Sequence, residues 1–403
     1  MRADRVRLQE KELFAKVEPP CPYFGTCGGC TLQDLAYADQ LILKQQRLLG
    51  LLGTLDPTLT VEVEGLEDPW RYRNKAELTF SESPEGAITL GYHAARSFWR
   101  IVDIEDCLLL PESVSAILQD VRRLAQQSGQ PPYHPRTHQG FFRHLVIRAS
   151  HATGKLLIML VTTQGQRTLI EQMAQTLCER HPAVTSVYWG VNAKVADVAT
   201  PDSLQLIRGE PYLEDRIGAL ALALHPLNFL QPTPRQAQQL YARMAAWASD
   251  SPSGVCWDLY CGIGLIAFTL APKFRTVYGI DCDAQNLELA RLNAQHNAIT
   301  NVEFQVGRVE DLLANKRFWL IEAKPDLIVV DPPRCGLHAG VLASLLAARP
   351  RQILYLSCNV QALVRDLGEL LNSFPRYRLC RAAAFDLFPH TDHLEVLTLL
   401  ERA

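Results

Sequence analysis

The sequence predicts an α/β protein with a small N-terminal cysteine lobe, a central α+β domain and a C-terminal doubly wound α/β domain. Three cysteines lie between residues 21 and 30, short strand-like segments begin near Trp70, and apolar strands alternate with helices from about Pro226 onward. Such alternation is typical of a parallel sheet covered by helices on both faces. We therefore place the domains at residues 1–56, 57–222 and 223–403.

The composition indicates a globular protein without a membrane segment. Of the 403 residues, 48% are hydrophobic, which is enough for two or three buried cores. No run of 18 consecutive apolar residues occurs and the N-terminus, MRADRVRLQEKELF, is charged, so we expect neither a membrane span nor a secretory signal. We expect a cytoplasmic monomer. The net charge of -3 argues against a uniformly basic surface but leaves room for a local basic patch.

The early cysteines have the spacing of a metal or cluster site. Cys21, Cys27 and Cys30 follow a C-x5-C-x2-C pattern, and the glycines between them let the backbone curl so that three sulfurs converge. A fourth thiolate is needed, and the next cysteine is Cys107. Structural zinc and an iron–sulfur cluster both use four thiolates, so the spacing does not separate them. Free thiols this close together would be prone to oxidation.

Residues 32–53, which follow the cysteines, have helical apolar spacing and end on glycine, which predicts an amphipathic helix. The pattern of the central domain predicts a largely antiparallel sheet with two helices, Glu112–Gln127 and Gln166–Glu179. Its predicted strands are Ala76–Phe80, Ala87–Tyr92, Trp99–Val102, Phe142–Arg148, Lys155–Thr162 and Val184–Trp189.

Two central segments mix basic and aromatic side chains, Trp70–Lys75 and Phe141–His144. Cations that pair with phosphates and rings that stack on unpaired bases are typical of single-stranded RNA binding. The alternative is an ordinary strand edge with solvated charges.

The C-terminal domain contains a candidate nucleoside site. Gly262-x-Gly264 follows the first strand, and Asp281 ends the second strand about twenty residues later, where a carboxylate can accept hydrogen bonds from ribose hydroxyls. The absent third glycine suits a nucleoside without a pyrophosphate, although a dinucleotide-binding fold is the competing interpretation. The predicted strands are Val255–Tyr260, Thr276–Asp281, Val302–Val306, Asp326–Asp331, a strand from Arg351 to Ser357, Tyr377–Phe385 and His393–Leu400, with helices to Leu270 and over Ala284–Asn297.

Three residues with reactive or titratable side chains lie at predicted strand ends. Asp331 opens the run Asp-Pro-Pro-Arg-Cys-Gly336, Cys358 follows a buried strand, and Glu395 lies near the start of the last strand. Ligands bind at the carboxyl edge of parallel strands, and a partly desolvated carboxyl group has a raised pKa that suits proton transfer. Each residue also has an ordinary interpretation, since a thiol can serve packing, Asp-Pro can form a turn, and a glutamate is usually a surface residue.

Together these motifs resemble the RNA uracil-5-methyltransferase family, specifically the iron–sulfur members that modify 23S ribosomal RNA. The resemblance runs from about Cys21 to the C-terminus. It is carried by the cysteine pattern with Cys107, Arg73-Asn-Lys75, Phe229-Leu-Gln231, Asp258-Leu-Tyr-Cys-Gly262, Asp331-Pro-Pro-Arg334-x-Gly336, Ser357-Cys-Asn359 and Phe388-Pro-x-Thr-x-His-x-Glu395.

The resemblance implies a Rossmann-like S-adenosylmethionine-dependent methyltransferase domain with Cys358 as nucleophile and Glu395 as base. It implies cofactor contacts from Gln231, Tyr260, Asp281 and Asp331, next to the glycines Gly262 and Gly264, and a [4Fe-4S] cluster on Cys21, Cys27, Cys30 and Cys107. Some members have Asn where this chain has Leu265, Arg308 and Thr233, so part of the cofactor's hydrogen bonding is supplied differently here. Only 20 residues precede Cys21, so we expect no RNA-binding TRAM barrel ahead of the cluster and expect RNA contacts from the central domain and the cysteine lobe.

We therefore predict methylation of uridine C5 in RNA, with 23S rRNA as substrate, through a Cys358–C6 adduct and removal of the C5 proton by Glu395. The same chemistry on tRNA is the first alternative. An iron–sulfur Rossmann-fold oxidoreductase and a non-catalytic RNA-binding protein are the others, and the presence of both Cys358 and Glu395 argues against the latter.

Overall fold

The computed structural model describes residues 11–315, 324–374 and 376–403. Two large sheets organise these residues, a seven-stranded sheet in the centre of the chain and an eight-stranded sheet built mainly from its C-terminal part. No helix in the described ranges has both the length and the apolar character needed to cross a membrane.

The N-terminal segment contributes one long helix, α1 (Tyr37–Leu52), which begins five residues after the predicted start at residue 32. The preceding residues are held elsewhere, because the backbone N–H groups of Thr31 and Leu32 both donate to the carbonyl of His390. The segment is thus bound to a C-terminal loop before the helix can begin.

The central part of the chain forms β2 (Lys75–Glu82), β3 (Ile88–His93), β4 (Ile101–Asp103), α2 (Ser113–Gln127), β5 (Phe142–Ala149), β6 (Leu156–Thr162), α3 (Arg167–Arg180), β7 (Val184–Val191) and β8 (Ser203–Gly209). The central sheet has the order β4-β3-β2-β5-β6-β7-β8. Its strands are antiparallel except for β6 and β7, which run parallel because a helix connects them. The six predicted strands are present with small shifts at their ends, whereas β8 was not predicted because most of its side chains are exposed and give no alternation. A hairpin, β9 (Leu213–Ile217) and β10 (Leu220–Leu224), follows.

The first strand of the large sheet, β1 (Val63–Glu64), comes from a region expected in the central domain. The other elements are α4 (Pro234–Trp247), β11 (Ser251–Leu259), α5 (Leu265–Leu270), β12 (Phe274–Asp281), α6 (Ala284–His296), β13 (Val302–Val306), α7 (Val309–Ala314), β14 (Leu327–Val330), α8 (Ala339–Ala348), β15 (Gln352–Ser357), α9 (Val360–Asn372), β16 (Tyr377–Phe385) and β17 (Glu395–Arg402). The strand order is β1-β16-β17-β15-β14-β11-β12-β13, and β17 runs antiparallel to both of its neighbours.

Helices cover both faces of the large sheet. Strand β14 is buried throughout, and its alternate residues enter different cores. Leu327 and Val329 pack in the core that includes α4 and α5, whereas Ile328 and Val330 pack in the core that includes α1, α8 and α9. This double covering explains why the strands are continuous apolar runs in the sequence, and it leaves the carboxyl edge of the parallel strands as the place for a ligand.

Candidate active site at the edge of the large sheet

The predicted site residues of the C-terminal domain meet at one edge of the large sheet. Asp281 ends β12, Asp331 directly follows β14, and Cys358 directly follows β15. Glu395 is the first residue of β17, which runs in the opposite direction and therefore begins where the parallel strands end.

Cys358 and Glu395 lie next to the last paired residues of two neighbouring strands, because Cys358 directly follows β15 and Glu395 is the first residue of β17. Ser357 pairs with Val396, so Cys358 and Glu395 are the next residues toward the edge. Directly opposed residues on paired strands project from the same face of a sheet. The electrostatics agree, because after burial the charge of Glu395 is the largest influence that raises the pKa of Cys358. A thiol and a carboxyl group thus face one location.

Glu395 is a buried acid. Only 3% of its surface is exposed, and its Oε2 has no hydrogen-bond partner among the described residues. Burial raises the pKa of Glu395 well above its usual range, Asp331 raises it further, and Arg334 acts in the opposite direction. A carboxylate that is costly to keep ionised is a stronger base than one in water, so this position suits proton removal.

The Cys358 thiol is half-buried, and burial, Glu395 and Asp331 together raise its pKa to about 11, while the charge of Arg334 acts to lower it. Asp331 lies at the edge of the sheet, and burial raises its pKa to about 7. The two acids and the thiol therefore hold their protons more tightly than they would in water, and Arg334 is a cation that favours the thiolate.

The loop from Asp331 to Gly336 is fastened to the turn that carries Cys358. Asn359 donates through Nδ2 to the carbonyl of Arg334 at 2.8 Å and caps helix α9 with its Oδ1. The buried carboxylate of Asp366 accepts from the backbone N–H of Leu337 at 2.7 Å. Nucleophile, Asp331 and Arg334 are thus held on one connected framework.

The turn after β11 has the geometry of a ligand-binding loop. Tyr260, Gly262 and Gly264 all have positive φ angles, of 67°, 53° and 89°. A Cβ atom at Gly264 would meet the Phe268 ring at 2.7 Å, whereas one at Gly262 would meet nothing within 4 Å. Asp281 accepts from the Gly262 N–H at 2.9 Å, which joins the ends of β11 and β12. Open space therefore lies over Gly262.

Gln231 approaches the same domain from the loop before α4. The Asn74 side chain donates to the Gln231 carbonyl at 2.8 Å, so the central domain holds this backbone in place. The Gln231 side chain is buried, and its Oε1 has no partner among the described residues. A buried acceptor without a partner is costly, which marks this position as one that a ligand would complete. Nearby, Thr233 donates to the carbonyl of Leu387 rather than facing open space.

The chain is similar to known RNA methyltransferases. Residues 226–403 match the family described as tRNA (uracil-5-)-methyltransferase. Over 394 residues the chain is 34% identical to an uncharacterized RNA methyltransferase of Halalkalibacterium halodurans, covering 96% of this chain and 84% of the relative. An uncharacterized RNA methyltransferase of Listeria innocua is 34% identical over 399 residues, covering 98% and 86%.

The chain belongs to the RNA uracil-5-methyltransferase family. A solved structure of the Pyrococcus abyssi tRNA (uracil-54, C5)-methyltransferase in complex with S-adenosyl-L-homocysteine superposes with a TM-score of 0.75. Its sequence is 27% identical, and the match covers 92% of this chain and 85% of that one. The predictions of an RNA methyltransferase and of a Rossmann-like methyltransferase fold are therefore confirmed.

The four predicted cluster cysteines of this methyltransferase line one cleft of about 1280 Å³. Burial raises the pKa of Cys30 to about 12, and the other three thiols, Cys107, Cys27 and Cys21, act in the same direction. No group of three or more His, Cys, Asp or Glu side chains in the described part of the chain is arranged to hold a single metal ion. The prediction of a bound metal centre is thus not confirmed.

The loop that leads to Glu395, residues 386–394, is held by the N-terminal segment. Lys44 of α1 pairs with Asp386 at 2.7 Å, and both side chains are almost fully buried. Gln40, also of α1, exchanges hydrogen bonds with the ring and the backbone N–H of His390. The His390 ring stacks on Trp70 with a centroid distance of 3.9 Å. Burial lowers the pKa of His390 to about 4, so its ring is neutral at pH 7.

The two segments predicted to bind RNA point mostly inward. The Arg143 guanidinium donates to the carbonyls of residues 192, 194 and 196 and lies over the Tyr133 ring at 4.0 Å. Arg71 is paired with Asp106, and the Tyr72 hydroxyl donates to the carbonyl of Pro389. These cations and rings bind the protein's own chain, so for Arg71, Tyr72 and Arg143 the contacts favour the alternative interpretation without RNA binding.

Three further residues of the site, Asp258, Arg334 and Tyr241, could not be assigned a role from the sequence. Asp258 and Arg334 appeared only as letters of motifs, and Tyr241 is an ordinary position of α4. Burial raises the pKa of Asp258 well above its usual range, and Asp331 contributes. Burial, followed by Asp331, Asp258 and Glu395, in turn raises the pKa of the Tyr241 phenol. No local sequence signal could have placed Tyr241 among these acids.

Proposed function

We propose that this methyltransferase uses S-adenosylmethionine to methylate C5 of a uridine in RNA, with Cys358 as nucleophile and Glu395 as base. The observation that carries the proposal is the neighbouring placement of these two side chains at the carboxyl edge of the sheet. Family membership supports RNA methylation, and the residue roles are our inference.

The cofactor would occupy the space over Gly262, with Gln231, Tyr260, Asp281 and Asp331 around it. The residues fit a nucleoside because the Gln231 Oε1 lacks a partner among the described residues and Gly262 leaves room for close approach. Carboxylate oxygens accept more than one hydrogen bond, so Asp281 can still accept from a ribose while it holds the Gly262 N–H. When bound, S-adenosylmethionine supplies the methyl group.

The protein's own task is to make C5 of uracil nucleophilic. The Cys358 thiolate forms a bond to C6, and the C5–C6 π electrons move toward C5 and the O4 carbonyl to give an enolate. C5 then takes the methyl group of S-adenosylmethionine, and S-adenosylhomocysteine is the leaving group. Glu395 removes the remaining C5 proton, the double bond re-forms, and the C6–S bond breaks to release the thiolate. Arg334 supports the first step because its charge lowers the pKa of Cys358.

Burial of Glu395 serves the last step. Burial leaves its carboxylate poorly stabilised, and the charge of Asp331 destabilises it further. Uptake of a proton by this carboxylate is therefore energetically favourable. The target uridine must leave its stack to reach this edge, at a cost of about a few kcal/mol.

We propose 23S rRNA as the substrate, on the strength of the cysteine set that this chain shares with the iron–sulfur members. Transfer RNA is the second candidate, favoured by the similarity to the P. abyssi tRNA enzyme. Mapping of 5-methyluridine in rRNA and tRNA from a strain that lacks the gene tests both. Loss of one 23S site with all tRNA sites intact supports the first, and loss of a tRNA site supports the second.

We also propose a [4Fe-4S] cluster on Cys21, Cys27, Cys30 and Cys107. The support is that all four thiols line one cleft and influence one another electrostatically. Zinc would hold four sulfurs about 2.3 Å from one ion, hence within about 4 Å of each other. No group this compact occurs among the described residues, which argues against a single zinc ion in the present arrangement of the thiols.

Iron and sulfide analysis of anaerobically purified protein tests the cluster proposal. Four irons and four sulfides per chain are expected for the wild type, with loss of both in Cys30→Ser and retention in Cys178→Ser, a half-buried cysteine on α3. The oxidoreductase alternative is tested by calorimetry, since it requires binding of a nicotinamide nucleotide rather than S-adenosylmethionine.

A further inference from the structure

A short surface loop, residues 94–100 between β3 and β4, displays the most exposed aromatic side chain of the described residues. Phe98 is 85% exposed and its neighbour Trp99 is 59% exposed. Arg96 and Arg100 flank them and are also exposed. Single exposed apolar residues are common, but adjacent exposed rings between two arginines form a patch that is typical of a binding site. We call residues 94–100 the aromatic–arginine loop.

The aromatic–arginine loop is an ordered platform. The backbone N–H of Ala94 donates to the carbonyl of Arg100 at 2.8 Å, which closes the loop at its base. The Ser97 hydroxyl accepts from the N–H groups of Trp99 at 3.4 Å and Arg100 at 3.1 Å. These bonds fix the backbone that carries the two rings before any ligand arrives, so little backbone conformational entropy would be lost on binding.

The positive charge around the rings is available to a ligand. No carboxylate in the described part of the chain forms an ion pair with Arg96 or Arg100. Arg136, also exposed, lies over the Trp99 ring with its Cζ 5.0 Å from the centroid. Rings that can stack on bases and guanidinium groups that can meet phosphates thus share one surface.

Part of the aromatic–arginine loop lines a cleft that it shares with residues adjoining the predicted cofactor site. Its base is bonded to the cysteine lobe, since Ala95 N–H donates to the Thr26 carbonyl and Gly28 N–H to that of His93. Arg96 and Phe98 line the same cleft as the four cysteines. The cleft is also lined by residues 228–230 and 232, which flank Gln231, and by Phe388 of the loop that leads to Glu395. Cys358 and Glu395 themselves do not line it.

We propose that the aromatic–arginine loop binds single-stranded nucleotides of the RNA substrate next to the target uridine. Phe98 and Trp99 would stack on unpaired bases, and Arg96 and Arg100 would contact phosphates. This assignment rests on the proposed RNA substrate. It moves the predicted RNA contact away from Arg71, Tyr72 and Arg143, whose side chains bind the protein's own chain.

Binding of a short, 5′-labelled, uridine-rich single-stranded RNA, followed by fluorescence anisotropy, tests the proposal. For Phe98→Ala/Trp99→Ala the dissociation constant should rise at least about fivefold, which corresponds to one lost stack of about 1 kcal/mol. The matched control is Phe374→Ala, since Phe374 is 83% exposed but follows α9, away from the catalytic edge. It should bind RNA like the wild type, as should the ring-preserving variant Phe98→Trp/Trp99→Phe.

The arginines are tested by salt dependence. In Arg96→Gln/Arg100→Gln the slope of log binding constant against log salt should become shallower by about 0.7 for each phosphate that the variant no longer neutralises. In methylation assays Phe98→Ala/Trp99→Ala should have a higher KM for RNA and an unchanged kcat. Equal RNA affinity for Phe98→Ala/Trp99→Ala and Phe374→Ala would overturn the proposal. Absence of methylation by the wild type would refute the proposed function but would leave the comparison of RNA affinities valid.

Discussion

The ion pair between Lys44 and Asp386 provides a stringent test of how the N-terminal helix holds the 386–394 loop. The side chains are 1% and 0% exposed and their charged atoms lie 2.7 Å apart. Lys44→Met keeps the length and packing of the side chain but removes its charge. Removal of one partner of a buried pair costs about 3–5 kcal/mol, because the other charge stays buried.

The surroundings of Asp386 place the expected loss near the lower end of that range. Its carboxylate still accepts from the Tyr37 hydroxyl at 3.1 Å and from the Phe388 N–H at 3.2 Å. Lys44→Met also removes a 3.3 Å hydrogen bond to the Phe388 carbonyl, worth about 0.5–1.5 kcal/mol. We therefore expect the free energy of unfolding to fall by about 3–4 kcal/mol.

Urea denaturation followed by tryptophan fluorescence measures this loss, and Trp70 reports locally because it stacks on His390 of the loop. The double variant Lys44→Met/Asp386→Asn has no buried charge left, so it should recover at least half of the stability lost in Lys44→Met. Burial lowers the pKa of Lys44 despite the nearby carboxylate, which agrees with a high cost of burying this pair. A loss below about 1 kcal/mol in Lys44→Met, or no recovery in the double variant, would refute the reasoning.

Three further predictions concern the active site. Glu395→Gln should lower kcat by about 100- to 10,000-fold and accumulate methylated RNA still bound to the protein, seen on denaturing gels, and failure to trap it would move the base elsewhere. Alkylation of Cys358 by iodoacetamide, measured by mass spectrometry of its peptide, reports the pKa of the thiol. The pH midpoint of alkylation should fall in Glu395→Gln because a negative neighbour is removed, and it should rise in Arg334→Gln because a positive one is removed. Shifts in the opposite directions would contradict the electrostatics. Gly264→Ala should lower the free energy of unfolding by about 1–3 kcal/mol through its φ of 89° and a 2.7 Å clash. Gly262→Ala, which has a φ of 53° but no clash, should lower it less and should also weaken cofactor binding in calorimetry.

The features that the sequence predicted well are those with local causes. Continuous apolar runs marked the strands of the large sheet, and the residues that follow such runs marked the edge where Asp331, Cys358 and Glu395 lie. Their proximity follows from strand pairing, which brings the ends of parallel strands together whatever the sequence distance between them. The helix boundaries of the central domain were predictable to within a residue.

The features that the sequence did not predict depend on partners far along the chain. The Arg143 side chain is buried because Tyr133 and carbonyls of residues 192–196 surround it. Helix α1 begins late because residues 31 and 32 bind His390. Strand β1 is two residues long and only half-buried, so it left no periodic signal. In each case the deciding contact joins segments that no local pattern connects.

The central claim is that the Cys358 sulfur bonds to C6 of the target uracil, and an adduct with RNA that contains 5-fluorouridine tests it most directly. Fluorine at C5 cannot leave as a proton does, so the reaction should stop after methyl transfer with protein and RNA still joined. In the presence of S-adenosylmethionine we expect the wild type to form a complex that survives denaturation. Cys335→Ala should form it too, because it removes an exposed thiol of the neighbouring loop and leaves Cys358 in place. Cys358→Ala should form no complex and should not methylate RNA. Methylation by Cys358→Ala, or an adduct attached to another cysteine, would contradict the account.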